Sequence, residues 1–326
     1  MPQMPIDATP LVSVVIPVYR RPELLRKAVL AIFDQDLPKD QYELLVVDSS
    51  PDDRNVTALA QLSDLAPCAF RWFTKEPEGP GPSRNLGVQH ARGRFIAFTD
   101  SDCQPCRTWL RTGLAAFGDG IGLVQGRTAP DPTAPGSILS WYVSVDHETI
   151  VYECCNIFYR REALLQAGSF WASRFRPADS PLGGEDVDIA WRVKRHGWTS
   201  RFVPEAVVYH AVVPISVRRW LINEKLFIWP FLLRKFPELR PFFYGRYFYD
   251  QAQVCFLAAV AGLSLTALHP AWLMLGVPYA LLRGSEPTAT LNGPLRALRI
   301  SAYFARDAMS FLVLLVGSLR FRSVLL

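Results

Sequence analysis

Four short apolar runs constrain most strongly what this chain can fold into: "LVSVVIPV" (11–18), "YELLVVD" (42–48), "AFRWF" (69–73) and "RFIAFTD" (94–100). They are largely apolar on consecutive rather than alternate positions, the pattern of strands buried on both faces. Between them lie stretches with helical spacing: "PELLRKAVLAIFDQ" (22–35), opened by Pro22, then Asn55 to Leu65, then Ser83 to Ala91 with Ser83 expected as its cap. Continuous strands alternating with helices predict an α/β fold, a mostly parallel sheet covered by helices on both faces. In such sheets ligands collect beyond the carboxyl ends of the strands, where Asp48 and Asp100 stand.

The run ending at Asp100 continues into "DSDC", so a second carboxylate, Asp102, follows one serine later. In extended chain, residues i and i+2 share a face, which predicts both carboxylates aimed at one cationic group. Upstream, "EPEGPGPSRNLG" (76–87) is a Gly- and Pro-punctuated loop able to approach a ligand closely, and it carries Arg84 and Asn85. Downstream, "RPADSPLGGEDVDIAWRVKRHGW" (176–198) reads as a Gly-containing loop leading into a helix that begins near Glu185 and stops at Gly197. Glu185, Asp186 and Asp188 suit the positive end of that helix, and one of them is a candidate for chemistry.

Strand-end Pro17 with Tyr19, strand-end Asp48, the Arg84-Asn85 loop, Asp100-Ser101-Asp102 and Glu185-Asp186, in that order, resemble the family-2 glycosyltransferases of GT-A fold over about residues 11 to 213. A lone D-x-D is weak evidence; the ordered set is specific. The resemblance implies an inverting transfer of a sugar from a UDP- or GDP-type nucleotide-sugar donor to a hydroxyl or phosphate acceptor. It assigns Pro17, Tyr19 and Asp48 to the nucleobase and Arg84 to the base or diphosphate. Arg20 stands where the family often has asparagine, a departure at one edge of the base site. A diphosphate leaving group needs its developing charge neutralised, which a divalent ion held by carboxylates supplies, and Mg²⁺ and Mn²⁺ both favour such oxygen donors. Asp102 is the first-choice metal ligand, with Asp100 touching the metal through water or holding the donor ribose.

Inversion by single displacement needs a carboxylate on the acceptor side to take the hydroxyl proton. Asp186 fills that position, with Glu185 orienting the acceptor or supporting the loop. Arg192 either neutralises diphosphate, as in similar enzymes, or makes a structural ion pair. His210, closing the strand-like "EAVVYHAVV", is either a further metal ligand or a structural histidine. Similar polymer-making enzymes carry Q-x-x-R-W after this region. Here "SVRRW" (216–220) keeps Arg219 and Trp220 but has Ser216 for the glutamine, which argues against a processive synthase.

Charge is unevenly spread: 13 Lys or Arg against 5 Asp or Glu from Pro214 onward leaves 22 against 25 before it, so a slightly acidic body carries a basic tail. That tail holds the 29 uncharged residues Val254 to Leu282, broken by Pro270 and Pro278, and a shorter uncharged run from Ala308 to Leu319. Basic and aromatic residues mixed at 233–250 followed by apolar runs suggest an anionic membrane surface rather than nucleic acid. The shorter run has the length of an interfacial or re-entrant segment. Expected divisions are a tail at 1–10, the GT-A domain at 11–213, basic and aromatic interfacial helices at 214–253, and a membrane-associated helical region at 254–326. With no secretory leader read at the start, the body is expected at the cytoplasmic face of the cell membrane, acting on a lipid-linked or saccharide acceptor. The six cysteines follow no disulfide framework and read as reduced, buried thiols. A sugar nucleotidyltransferase is the nearest enzymatic rival, but the Gly-rich phosphate loop it needs after "VVIPV" is missing. A non-catalytic membrane glycan-binding scaffold would leave Asp102 and Asp186 without a role.

Overall fold

The computed structural model describes residues 9–135, 137, 139–171, 183–285 and 293–326. Most of the expected tail at 1–10 and the loop at 176–182 fall outside them. The chain forms two compact units, Met1–Pro214 and Ile215–Leu326.

The first unit opens with the expected alternation: β1 (Val12–Val18), α1 (Pro22–Phe33), β2 (Tyr42–Asp48), α2 (Arg54–Ser63), β3 (Ala69–Thr74), α3 (Pro80–His90) and β4 (Phe95–Thr99). It continues through β5 (Cys103–Pro105), α4 (Trp109–Ala115), β6 (Ile121–Pro130), β7 (Ser140–Trp141), β8 (Asn156–Arg160), α5 (Arg161–Ala167), α6 (Glu185–Arg195), β9 (Thr199–His210) and β10 (Val213–Pro214). Eight strands make one sheet in the order β3-β2-β1-β4-β8-β6-β9-β5, and β7 pairs with β10 apart from it. The first four are parallel to one another, but β8 runs antiparallel to both β4 and β6, and β5 antiparallel to β9. The sheet is therefore parallel in its first half and mixed beyond β4.

All seven residues of β1 and of β2 are buried, as their unbroken apolar patterns require. α1 lays Leu25, Ala28, Val29 and Ile32 into the same core, a stripe at helical spacing. α3 lies close against β1 because Gly87 has no side chain: a Cβ there would stand 2.4 Å from Val15 Cγ1. Ser83 is not the cap of α3. Gly79, at φ 96°, precedes the helix, Pro80 opens it, and Ser83 sits buried inside. The two prolines of "GPGPS" fit a first turn, where the missing N–H groups have no intrahelical partner, so the helix starts earlier than the serine.

In the second unit α7 (Val217–Leu221) is capped by Ser216, whose Oγ accepts the Arg219 N–H at 3.2 Å. α8 (Trp229–Lys235), α9 (Gln251–Leu265), α10 (Val277–Gly284) and α11 (Gly293–Phe321) follow. The uncharged stretch from Val254 is not one helix. It breaks after α9, makes a 3₁₀ turn at Pro270–Gly276, and resumes as α10. Gly262 permits this return, since a Cβ on it would lie 2.5 Å from the Trp272 carbonyl oxygen. Among the described residues the stretch long and apolar enough to cross a membrane is instead Ala297–Phe321, most of the 29-residue α11. The uncharged run at 308–319 is thus only one end of a much longer helix. Asp307 places a charge within that helix, but Arg283 of α10 meets its carboxylate through two nitrogens, at 2.7 and 2.9 Å, and the Tyr279 hydroxyl donates to it at 2.8 Å.

Candidate active site

The carboxyl ends of the parallel strands carry the predicted residues. Register places Val18 beside Asp48 and Asp48 beside Thr74, so the turn after β1 and the acid ending β2 border one rim. Asp48 is buried and fixed there: its Oδ1 accepts from the Ser50 N–H at 2.9 Å and from Asn55 Nδ2 at 3.0 Å. The fully buried Asn55 also donates to Ser50 Oγ at 2.8 Å, and Ser50 Oγ takes the Arg20 N–H at 2.7 Å. Pro17 lies within β1, whereas Tyr19 is 45% exposed and free to face a flat ligand. Arg20 has φ 52°, a left-handed turn that carries the chain from β1 into α1.

The two D-x-D carboxylates do not share a strand face. β4 ends at Thr99, and residues 100–102 form a tight turn closed by the Cys103 N–H to the Asp100 carbonyl at 3.1 Å. A turn sends i and i+2 apart, so each acid finds its own arginine. Asp100 accepts from Arg84 Nη2 at 2.9 Å, and Asp102 Oδ2 accepts from Arg21 Nη1. Asp102 Oδ1 lies 3.8 Å from His210 Nε2. His210 Nδ1 is 2.7 Å from the Ala211 carbonyl oxygen, which can only accept, so Nδ1 donates there and Nε2 is the ring nitrogen turned toward Asp102. One donor atom from each of Asp102, Cys103 and His210 lies within 4.8 Å of the other two. These buried donors fit a divalent ion.

Arg84 is the hub of the site. Buried at 3% exposure, it donates to Asp100 at 2.9 Å through Nη2 and to Asp186 at 3.0 Å through Nη1, with Glu185 at 3.5 Å. Burial works against its charge, yet Cys154, Asp186, Asp100 and Glu185 around it outweigh that and raise its pKa well above the ordinary value. Asp186 is held on its other side too, where Oδ2 accepts the Cys154 N–H at 3.0 Å. Gly184, left-handed at φ 87°, turns the chain into α6 and puts Glu185, Asp186 and Asp188 in its first turn. Glu185 is buried and Asp186 is a fifth exposed at its side chain, so of the two Asp186 is the one open to an incoming group. Arg192 pairs with Asp188 at 2.7 and 2.8 Å and donates to the carbonyls of Ala167 and Ser169, tying α6 to the end of α5.

Several participants carry no motif. Arg21 simply follows Arg20, Asn55 lies in the first turn of an ordinary helix, and Cys154 meets Asp186 through its backbone N–H. The half-buried Glu153 accepts from Gln125 at 2.8 Å and from Thr149 at 2.7 Å. Burial raises its pKa, opposed by the Thr149 hydrogen bond and reinforced by nearby Asp186.

The sequence matches the family model described as Glycosyl transferase family 2 over residues 13–138 and that described as Glycosyl transferase family group 2 over residues 146–317. Glycosyltransferase AglE of Haloferax volcanii is 29% identical over 216 residues, 64% of this chain and 69% of that protein. The pre-mycofactocin glycosyltransferase of Mycobacterium tuberculosis is 31% identical over 170 residues, 46% of this chain but only 33% of that protein. Among solved structures, the mannosyltransferase PcManGT from Pyrobaculum calidifontis, in complex with GDP-Man and Mn²⁺, superposes with a TM-score of 0.60 at 18% identity, over 98% of this chain and 91% of that one. S. aureus TarS 1-349 in complex with UDP gives 0.51 at 19% identity, over 95% and 91%. The fold is that of the GT-A enzymes, and with the second family model alone spanning more than half of the sequence, the chain belongs to the family-2 glycosyltransferases.

Proposed function

We propose that this enzyme inverts the anomeric centre as it moves a sugar from a nucleoside-diphosphate donor to a hydroxyl or phosphate on a lipid-linked or cell-envelope glycan acceptor, at the cytoplasmic face of a membrane. The observation that carries this proposal is the Arg84 hub, which binds the donor-side Asp100 and the acceptor-side Asp186 to one guanidinium. Pro17, Tyr19 and Asp48 form the base-binding rim, and Asp48, fixed by Asn55, offers its free oxygen to an N–H on the base edge. Asp102 and His210 would hold Mg²⁺ or Mn²⁺, with Asp100 reaching it through water or holding the donor ribose, and the ion would supply charge neutralisation for the diphosphate. Asp186 takes the acceptor proton: its Oδ2 is braced by the Cys154 backbone N–H and its Oδ1 by Arg84. Glu185 supports it from the Arg84 side, and Arg192 stiffens the helix that carries both. AglE and PcManGT, a glycosyltransferase and a mannosyltransferase by name, are consistent with this class.

The second unit supports attachment to a membrane. Leu263, Leu268, Trp272, Leu273 and Met274 are exposed around the α9 return, Leu312, Val316 and Leu319 are exposed on α11, and the unit is basic. The decisive experiment incubates the purified full chain with a panel of nucleotide sugars and Mn²⁺, reading nucleoside diphosphate release and the anomeric configuration of any product. Release that stops with EDTA and in Asp102→Ala supports the assignment. Turnover and nucleotide affinity unchanged by both treatments would defeat it.

A further inference from the structure

The residue after the second D-x-D aspartate has no part in the mechanism above, yet it faces the metal centre. Cys103 is the first residue of β5 and pairs directly with His210 of β9, so the two side chains project from the same face of the sheet. Cys103 is 0% exposed, His210 2% and Asp102 6%. Their donor atoms lie within 4.8 Å of one another, on the scale of a coordination sphere with bonds of about 2.0–2.3 Å to oxygen, nitrogen and sulfur. Asp102 divides its oxygens, with Oδ2 given to Arg21 and Oδ1 turned toward His210 Nε2.

We infer that Cys103 is a third protein ligand of this centre, so that it takes a borderline ion such as Zn²⁺ or Co²⁺ as a resident metal before any nucleotide arrives. This rests on the metal-centre reading given above. The donor set is the reason. Mg²⁺ retains its waters and is usually held through one or two carboxylates together with substrate phosphates, whereas a carboxylate, an imidazole and a thiol suit later first-row ions. Charge agrees with this. A doubly charged ion in so dry a place needs nearby anions, and a Cys103 thiolate adds a second to Asp102, whose other oxygen already meets Arg21. On binding, the Cys103 S–H bond breaks, the proton leaves to solvent, and a sulfur–metal bond forms with no change of oxidation state.

The test titrates nucleotide-free, full-length protein in detergent with Co²⁺. One equivalent is expected to produce visible ligand-field bands, a near-ultraviolet sulfur-to-cobalt charge-transfer band and release of one proton. Cys103→Ser should lose the charge-transfer band and keep the ligand-field bands; Cys155→Ser, in the neighbouring buried thiol, should keep both. Mg²⁺ should compete for the site at least 100-fold less effectively than Zn²⁺. Ligand-field bands without charge transfer in the wild type would overturn the Cys103 assignment and leave the Asp102–His210 centre standing. No bound Co²⁺ at all would overturn both. If Cys103→Ser fails to fold, Cys103→Ala serves in its place: loss of the charge-transfer band there, with its retention in Cys155→Ser, carries the assignment, and its persistence in Cys103→Ala overturns it.

Discussion

Replacing Arg84 by methionine should be among the most damaging single changes to the first unit, because one buried cation serves three carboxylates. Removing one partner of a buried ionic cluster costs roughly 3–5 kcal/mol, since the remaining charges lose their compensation without regaining water. Here water can partly return: the side chains of Asp100 and Asp186 are 31% and 21% exposed, while that of Glu185 is 7% exposed. The cost therefore belongs at the lower end, about 3 kcal/mol, and for a unit of this size that is a fall in Tm of roughly 6–12 °C. Thermal unfolding of the full chain in detergent, followed by intrinsic tryptophan fluorescence, reads it directly. A second variant sharpens the argument. Asp186→Asn removes a favourable charge in the wild type but relieves repulsion once Arg84 is gone, so it should lower or leave Tm unchanged alone and raise it in the Arg84→Met background. A coupling of about 1 kcal/mol or more with that change of sign is expected for groups in direct contact. A Tm within 2 °C of wild type for Arg84→Met, or additive effects in the pair, would refute the hub.

Asp186→Asn should keep nucleotide affinity while turnover falls by roughly 10² or more, the range for losing a general base; near-normal turnover in a single-turnover assay would move the base to another residue. Glu153 yields a pH prediction. Burial, reinforced by Asp186, raises its pKa, so the folded chain holds this proton more tightly than the unfolded one, and its contribution to stability is lost as pH rises through the folded value. Glu153→Gln should therefore melt higher than wild type at pH 8, with the difference closing toward pH 4; a constant offset across that range would contradict it. If α11 and the α9 return enter lipid, the full chain should sediment with membranes and resist carbonate extraction, while a chain cut near Pro214 should be released and still bind nucleotide. Extraction of the full chain by carbonate alone would refute membrane insertion.

The sequence by itself determined the order of strands and helices in the first half. β1 and β2 are apolar at nearly every position, and only a strand covered on both faces accommodates that pattern. It also marked Asp48, Arg84, Asp100, Asp102 and Asp186, because acids at strand ends and beside glycines are local features of the chain. What sequence could not give was which charge meets which. Two carboxylates two residues apart pointed to one partner, but a turn after Thr99 sends Asp100 to Arg84 and Asp102 to Arg21 and His210, contacts spanning 16, 81 and 108 positions. Arg21 and Asn55 were invisible for the same reason: each is ordinary for its own element and meets Asp102 or Asp48 only when the sheet closes. The C-terminal unit shows the opposite failure. Uncharged runs alone do not reveal the 29-residue α11, because Arg299, Arg306 and Asp307 break them up, yet Arg283 meets that aspartate from a helix 24 residues earlier. Sequence counts charges one at a time, and tertiary structure decides which of them remain.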